Sequence, residues 1–299
     1  MTYLAEYLME FLSDKACEGC SKNTIQDYYI KIDRFVKFSG LDLPISDLDV
    51  SICKRYYLTL RCELDNTVSI QSYIRPLRAF LNWLYANDHI TVDICSRFKL
   101  PKAQKPVIDV LTDSEIASIY ECFPNDANVL HLRNKVIISL MLDCGLRLDE
   151  VVTAQRSDLH LRERYLIVTG KGNKQRMVAF GTNTASILGR YTRAVPPSGS
   201  LLLTSEGLPI TRDTIKNMFR RLCESSGVTR LYPHLLRHTF ATRYLENGGN
   251  IYALQQLLGH SSLDMVKKYL HLSQRRLISE FERFSPVDCL SNIKKPSTR

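Results

Sequence analysis

Tyr165-Leu-Ile-Val-Thr-Gly-Lys-Gly-Asn-Lys-Gln-Arg-Met-Val-Ala-Phe180 decides the architecture, because the spacing of apolar residues changes here. Tyr165–Val168 and Met177–Phe180 are short apolar runs of strand composition. Thr169–Arg176 joins them with Gly170, Gly172 and polar side chains, the chemistry of a hairpin turn. Leu201–Leu203 is expected to add a third strand. After Thr211 the chain reads as helices broken at Gly227, Gly248/Gly249 and Gly259. Upstream, Thr112-Asp-Ser-Glu115 is a capping box that opens a helix, and a longer helix is predicted over about 130–144, ending at Gly145. This half of the chain is therefore expected to be mainly α-helical with one small antiparallel β-sheet.

The first hundred residues carry helical periodicity throughout. Leu4, Tyr7, Leu8, Phe11 and Leu12 mark a first helix. A second follows Ser21 as N-cap, presents Ile25, Tyr28, Ile32, Phe35 and Val36 on one face, and stops at Gly40. Ser46 is the candidate cap of a third, running through Ile52, Tyr56 and Leu60. A fourth covers about 68–85, and Pro76 inside it predicts a kink or a later start, since proline lacks the backbone N–H. Then Arg97-Phe-Lys-Leu-Pro-Lys-Ala-Gln-Lys-Pro106 loses the apolar period and gains two prolines, as an extended linker would.

Composition bounds the function. At 299 residues the chain can bury two cores, and its 44% hydrophobic and 24% charged content is that of a globular protein. No apolar run approaches the roughly 18 residues that span a bilayer. The N-terminal stretch carries Glu6 and Glu10 where a signal peptide would carry base, so a cytoplasmic protein is expected. Of nine cysteines only Cys17 and Cys20 form a C-x-x-C, with no second pair or nearby histidine to complete a zinc site. The net charge of +9 is unevenly spread: residues 1–106 hold 14 basic and 13 acidic side chains, the remainder 26 and 18. An anionic partner is thus expected to meet the second part.

Five stretches there place a cation or proton donor beside a local break: Gly145-Leu-Arg147-Leu-Asp-Glu150, Gly170-Lys171-Gly-Asn-Lys174, His234-Leu-Leu-Arg237-His238, Leu258-Gly-His260 and Lys267-Lys-Tyr269. Singly, each is compatible with a solvated surface or a salt-bridged helix face. Together they fit phosphodiester transfer without a metal. That chemistry needs cations on the non-bridging oxygens, a nucleophile, and an acid for the departing oxygen. Two arginines offer forked donors, histidines move protons near neutral pH, a hairpin lysine can reach a leaving group, and a tyrosine can attack.

The order Arg, Glu, Lys, His-x-x-Arg, Leu-Gly-His, Tyr resembles the catalytic signature of the tyrosine recombinase/integrase family, in its compact Xer-like (XerC/XerD-type) form. His234-Leu-Leu-Arg-His-Thr-Phe-Ala-Thr242 and Leu258-Gly-His-Ser-Ser-Leu263 are long ordered matches, and the resemblance covers nearly the whole chain. It implies a four-helix, SAM-like core-binding domain at residues 1–98, a linker at 99–109, a catalytic domain at 110–286 and a tail at 287–299 expected to be disordered. It implies site-specific recombination through a 3′-phosphotyrosine intermediate, with no cofactor and no metal. Arg147 and Arg237 then correspond to the clamp on the scissile phosphate and Lys171 to the general acid. His234 corresponds to a proton shuttle, His260 to a donor to a non-bridging oxygen, and Tyr269 to the nucleophile, with Tyr244 and Tyr252 as rivals. Glu150 is expected to orient Arg147 and His234, with Asp149 as its rival.

The implied partners are double-stranded DNA with inverted-repeat core sites, three further copies of the chain in a tetramer, and an accessory protein or partner recombinase. Leu277, Ile278, Phe281 and Phe284 give a short helix one apolar face, which in the family packs onto the neighbouring subunit. Arg243 stands where many relatives carry another histidine. The chain starts directly with core-binding helices, which favours a dimer resolver or the recombinase of a small mobile element. A type IB topoisomerase-like activity and a non-catalytic DNA-binding protein are the competing readings.

Overall fold

The computed structural model describes residues 2–98, 109–124, 127–170, 174–259 and 266. The chain divides into two compact units, Met1–Pro106 and Val107–Arg299. Residues 99–108 of the expected linker, the expected C-terminal helix around 277–284 and the expected tail lie outside the described residues.

In the first unit α1 (Leu4–Cys17), α2 (Lys22–Ser39), α3 (Val50–Glu63) and α4 (Thr67–Ala86) are followed by a single-turn helix, α5 (Ile94–Arg97), and a 3-10 turn at Ile45–Asp47 precedes α3. Ser21 caps α2 by accepting from the Thr24 N–H at 3.2 Å. Asn66 caps α4 from the Ser69 N–H at 2.7 Å. The cap of α3 is Asp49, which accepts from the Ile52 N–H at 3.0 Å, and not Ser46, which lies in the 3-10 turn. Asp49 stands directly before the first helical residue, where the orphan N–H groups are, and a side-chain acceptor there contributes about 1 kcal/mol.

Pro76 neither delays nor ends α4. The helix runs from Thr67, and Pro76 is buried beside Ile74, Leu77 and Phe80. Burial of a whole apolar stripe outweighs one missing hydrogen bond, because each fully buried large apolar side chain contributes about 1.5–3 kcal/mol. The core of this unit is apolar and aromatic: Phe11, Phe35, Tyr56 and Phe80 are fully buried. The Trp83 indole N–H donates to Asp14 at 2.8 Å and ties α4 to α1.

The second unit contains α6 (Asp113–Glu121), α7 (Val129–Leu142), α8 (Leu148–Thr153), a sheet of β1 (Leu159–His160), β2 (Tyr165–Thr169) and β3 (Gln175–Ala179), then α9 (Thr182–Ala194), α10 (Arg212–Ser226), α11 (Pro233–Glu246) and α12 (Ile251–Leu258). The expected capping box forms at Thr112 and Glu115. Helix α7 buries Val136 to Met141 without a break, so this stretch is enclosed on all sides by the core, with Ser139 bonded to the Tyr120 hydroxyl at 2.8 Å. The sheet is antiparallel in the order β1-β2-β3, with Tyr165 opposite Ala179 and Thr169 opposite Gln175.

The third strand is β1 and not Leu201–Leu203. That buried segment spreads its backbone bonds over three partners: Leu201 N–H donates to Ala154 O, Leu203 N–H to the Tyr191 hydroxyl, and Leu202 O accepts from Ile210 N–H. Its apolar run serves burial without a ladder. Helices α8 and α9 were not marked by the apolar pattern. The start of α9 is fixed from outside, by Asp143 accepting from Gly181 N–H at 2.8 Å and the Thr184 hydroxyl at 2.6 Å. Gly227 and Gly259 end α10 and α12 in the left-handed conformation, as glycine readily does.

No described helix is long and apolar enough to cross a membrane. Cys17 is exposed and Cys20 half-buried, both as free thiols, and no group of residues suited to a metal ion occurs among the described residues.

Candidate active site

Arg147 stands at the N-cap of α8, where the chain leaves α7 through Gly145. Gly145 has φ +62°, and a Cβ there would lie 2.4 Å from the Phe240 ring, so backbone conformation and close packing against α11 both require glycine. This approach brings the Arg147 segment onto the helix carrying His234 and Arg237.

Glu150, in the first turn of α8, is 2% exposed. Its carboxylate accepts from the Arg147 backbone N–H at 2.8 Å and from Arg147 Nη1 at 2.9 Å. It also accepts a fork from Arg176 on β3, Nη1 at 2.6 Å and Nη2 at 2.8 Å. Burial alone would raise the carboxyl pKa; the hydrogen bonds from Arg176 and Arg147, with their positive charge, outweigh it and hold the group below its ordinary value. Asp149 is exposed and pairs with Arg212 at 2.5 Å, so the carboxylate beside Arg147 is that of Glu150.

Arg237, on α11, is 4% exposed. Its Nη1 donates to Gly145 O, and its Nη2 donates to Leu258 O at 2.7 Å. Arg176 Nε donates to Leu257 O at 2.8 Å, and Arg147 Nη2 reaches Gly259 O at 3.5 Å. Three arginines from α8, β3 and α11 thus meet at the C-terminal end of α12, where unpaired carbonyls and the helix dipole favour cations. His234 is exposed in the first turn of α11, directly after Pro233 at N1, and the His238 ring lies one turn on at 6.4 Å. The remaining residues of that motif hold the helix down. Thr239 accepts from the Leu111 N–H at 3.0 Å, and Leu235 and Leu236 enter the main core.

Lys171, His260 and Tyr269 lie outside the described residues. Their described neighbours are in place: Gly170 N–H donates to Lys174 O at 2.8 Å across the base of the hairpin, and Gly259 closes α12. Val266, three positions before Tyr269, is fully buried with Phe240, Leu254 and Leu258. Of the rival tyrosines, Tyr252 is exposed on α12, and Tyr244 packs on the Phe240 ring. Arg176 was not among the expected site residues. Its signal is the strand period: Arg176 shares the inward face of β3 with Val178, an unusual place for a cation without a partner.

Compared with known proteins, residues 109–276 match the phage integrase family, and residues 3–100 match the phage integrase SAM-like domain. The chain belongs to the phage integrase family. This integrase-family chain is 32% identical over 226 residues to tyrosine recombinase XerD of Lacticaseibacillus casei, covering 73% of this chain and 77% of that protein. It is 29% identical over 296 residues to tyrosine recombinase XerD of Staphylococcus saprophyticus, covering 95% and 99%. Among solved structures it resembles the Tn1549 transposon integrase in complex with a circular intermediate DNA, with a TM-score of 0.78 at 20% identity over 95% and 100% of the two chains. The last of these is a likeness of fold.

Proposed function

We propose that this integrase-family chain is a site-specific recombinase that cuts and rejoins duplex DNA through Tyr269. The phenolic oxygen attacks the scissile phosphorus, a 3′-phosphotyrosine bond forms, and the 5′ oxygen leaves with a proton from Lys171. The 5′ hydroxyl of a partner strand then attacks the phosphotyrosine phosphorus, so that a new phosphodiester forms as the bond to Tyr269 breaks and the tyrosine takes back its proton. Arg147 and Arg237 neutralise the non-bridging oxygens, with His260 as a further donor, while His234 shuttles the tyrosine proton. Glu150 orients Arg147. The route asks no metal ion for charge, since the two guanidiniums supply it.

The observation that carries this reading is the convergence of Arg147 and Arg237 on the last carbonyls of α12, one residue before His260. Two cations from distant segments, brought together at the residues that precede His260 in the sequence, suit a phosphodiester. Residues 1–98 are assigned to core-site binding, 99–109 to a linker and 110–286 to catalysis. The working assembly is a tetramer on inverted-repeat DNA in the cytoplasm, with the helix around 277–284 packing onto a neighbouring copy and an accessory protein or partner recombinase completing it.

A nicked suicide duplex, which loses a short strand on cleavage and cannot religate, tests the reading. The wild-type chain becomes covalently attached in EDTA. Tyr269→Phe does not, yet shifts the duplex in a gel nearly as well, because phosphate contacts dominate affinity and no charge is removed. Attachment by the Phe variant would contradict the assignment.

A further inference from the structure

The Glu150 carboxylate is held by two guanidiniums, and the two are not held alike. Arg176 is 12% exposed, and all three of its guanidine nitrogens are occupied: both Nη atoms on Glu150 and Nε on Leu257 O at 2.8 Å. Arg147 is 34% exposed, and among the described residues its Nη2 meets Gly259 O at 3.5 Å. Two cations on one anion leave one positive charge in surplus. Since Arg176 is enclosed and fully engaged, that surplus faces outward through Arg147.

Arg176 also touches the segments that flank Lys171 and His260. A Cβ on Gly259 would lie 3.1 Å from Arg176 Cδ and 3.2 Å from its Nε, so the last turn of α12 rests on this side chain. A Cβ on Gly170 would lie 3.6 Å from Arg176 Nη1 and equally far from Glu150 Oε1.

We propose that Arg176 is a positioning residue that takes up the Glu150 charge and seats the end of α12, so that Arg147 keeps its positive charge for the DNA phosphate. The inference rests on the recombinase reading above. Without Arg176, Glu150 would pair with Arg147 alone, and a neutral ion pair would replace a group of net positive charge. Glu150 would then quench the arginine it now only orients.

The test measures covalent attachment to the suicide duplex for the wild type, Arg176→Gln, Arg176→Lys and the double variant Arg176→Gln/Glu150→Gln, with thermal melting to confirm folding. Arg176→Gln is expected to lose about 100-fold in attachment rate, the scale on which mispositioned catalytic groups act. Adding Glu150→Gln removes the uncompensated anion and is expected to regain about ten-fold, a coupling of the size seen between contacting residues. Arg176→Lys keeps the charge and loses the fork, and is expected to fall between the wild type and the double variant. Where Arg176→Gln does not fold, the Lys variant carries the test: attachment well above the double variant supports charge compensation, and attachment at or below it overturns it. An Arg176→Gln rate within about two-fold of wild type overturns the inference while leaving the recombinase reading intact. A defective Arg176→Gln that Glu150→Gln does not relieve makes Arg176 a simple staple and also overturns it. Failure of the wild type itself to attach DNA overturns the recombinase reading, and this inference with it.

Discussion

The bundle of α1 to α4 and the corner where α8, β3, α11 and α12 meet treat charge in opposite ways. In the bundle, ion pairs stand at the surface one helical turn apart, Lys31 with Asp27 at 2.6 Å and Lys37 with Asp33 at 2.8 Å. Its interior is aromatic, with the Phe11 and Phe80 rings 5.3 Å apart edge to face. In the corner, Glu150, Arg176 and Arg237 are enclosed with polar partners. Exposed pairs contribute between nothing and about 1 kcal/mol, whereas a buried charge is tolerated only where its hydrogen bonds are filled. The first arrangement stabilises a fold. The second holds cations in fixed directions, as the proposed site for an anionic transition state requires.

The largest expected effect falls on the bundle. Phe80→Ala removes a fully buried ring and is expected to destabilise the first unit by about 3–5 kcal/mol in denaturant unfolding. Attachment to the suicide duplex per folded molecule stays unchanged. A loss of cleavage beyond the loss of folded protein would erase the division between a stabilising region and a chemical one.

Within the chemical region the contrast between Lys171 and Arg237 comes next. Lys171→Ala is expected to slow departure of the 5′ oxygen, which is a poor leaving group without a proton. A strand with sulfur at the 5′ bridging position leaves without one, so its cleavage is largely restored in Lys171→Ala but not in Arg237→Ala. Absence of a selective rescue would move the acid to Lys174, the other lysine of the turn.

A smaller effect follows from Glu150. Its folded-state pKa lies below the ordinary 4.5, so its ionised form stabilises the folded chain above that pH, and the contribution is lost as pH falls through the folded value. Urea unfolding is therefore expected to separate wild type from Glu150→Gln most above pH 4.5. The gap should narrow below that pH. A gap that is constant or widens toward acid would mean that the carboxylate is not held by the two arginines in solution.

What could be read in the chain and what could not divides along a physical line. Ser21, Thr112 and Gly227 act within a few residues of themselves, so local chemistry marked them in advance. The β2–β3 hairpin announced itself through its change of period. Asp49 displaced Ser46 as a cap by standing at the first orphan N–H groups, a difference of three positions that sequence patterns do not resolve. Leu201–Leu203 went the other way, and Pro76 did not delay the start of its helix, because tertiary burial overrode local preference. Of the candidate site, the motifs marked Arg147 and Arg237, which meet at the end of α12, and the offset to Arg147 marked Glu150 over Asp149 as its carboxylate partner. The place of Arg176 was not, because its partners Glu150 and Leu257 are distant in sequence and meet it only in the folded unit.

The central claim, a tyrosine-linked strand transfer centred on the arginine corner, is tested most directly by mapping the adduct. The wild-type chain is trapped on the suicide duplex, digested, and the nucleotide-bearing peptide sequenced by mass spectrometry. The account predicts a 3′-phosphonucleotide on Tyr269. An adduct on Tyr252 or Tyr244 would contradict it.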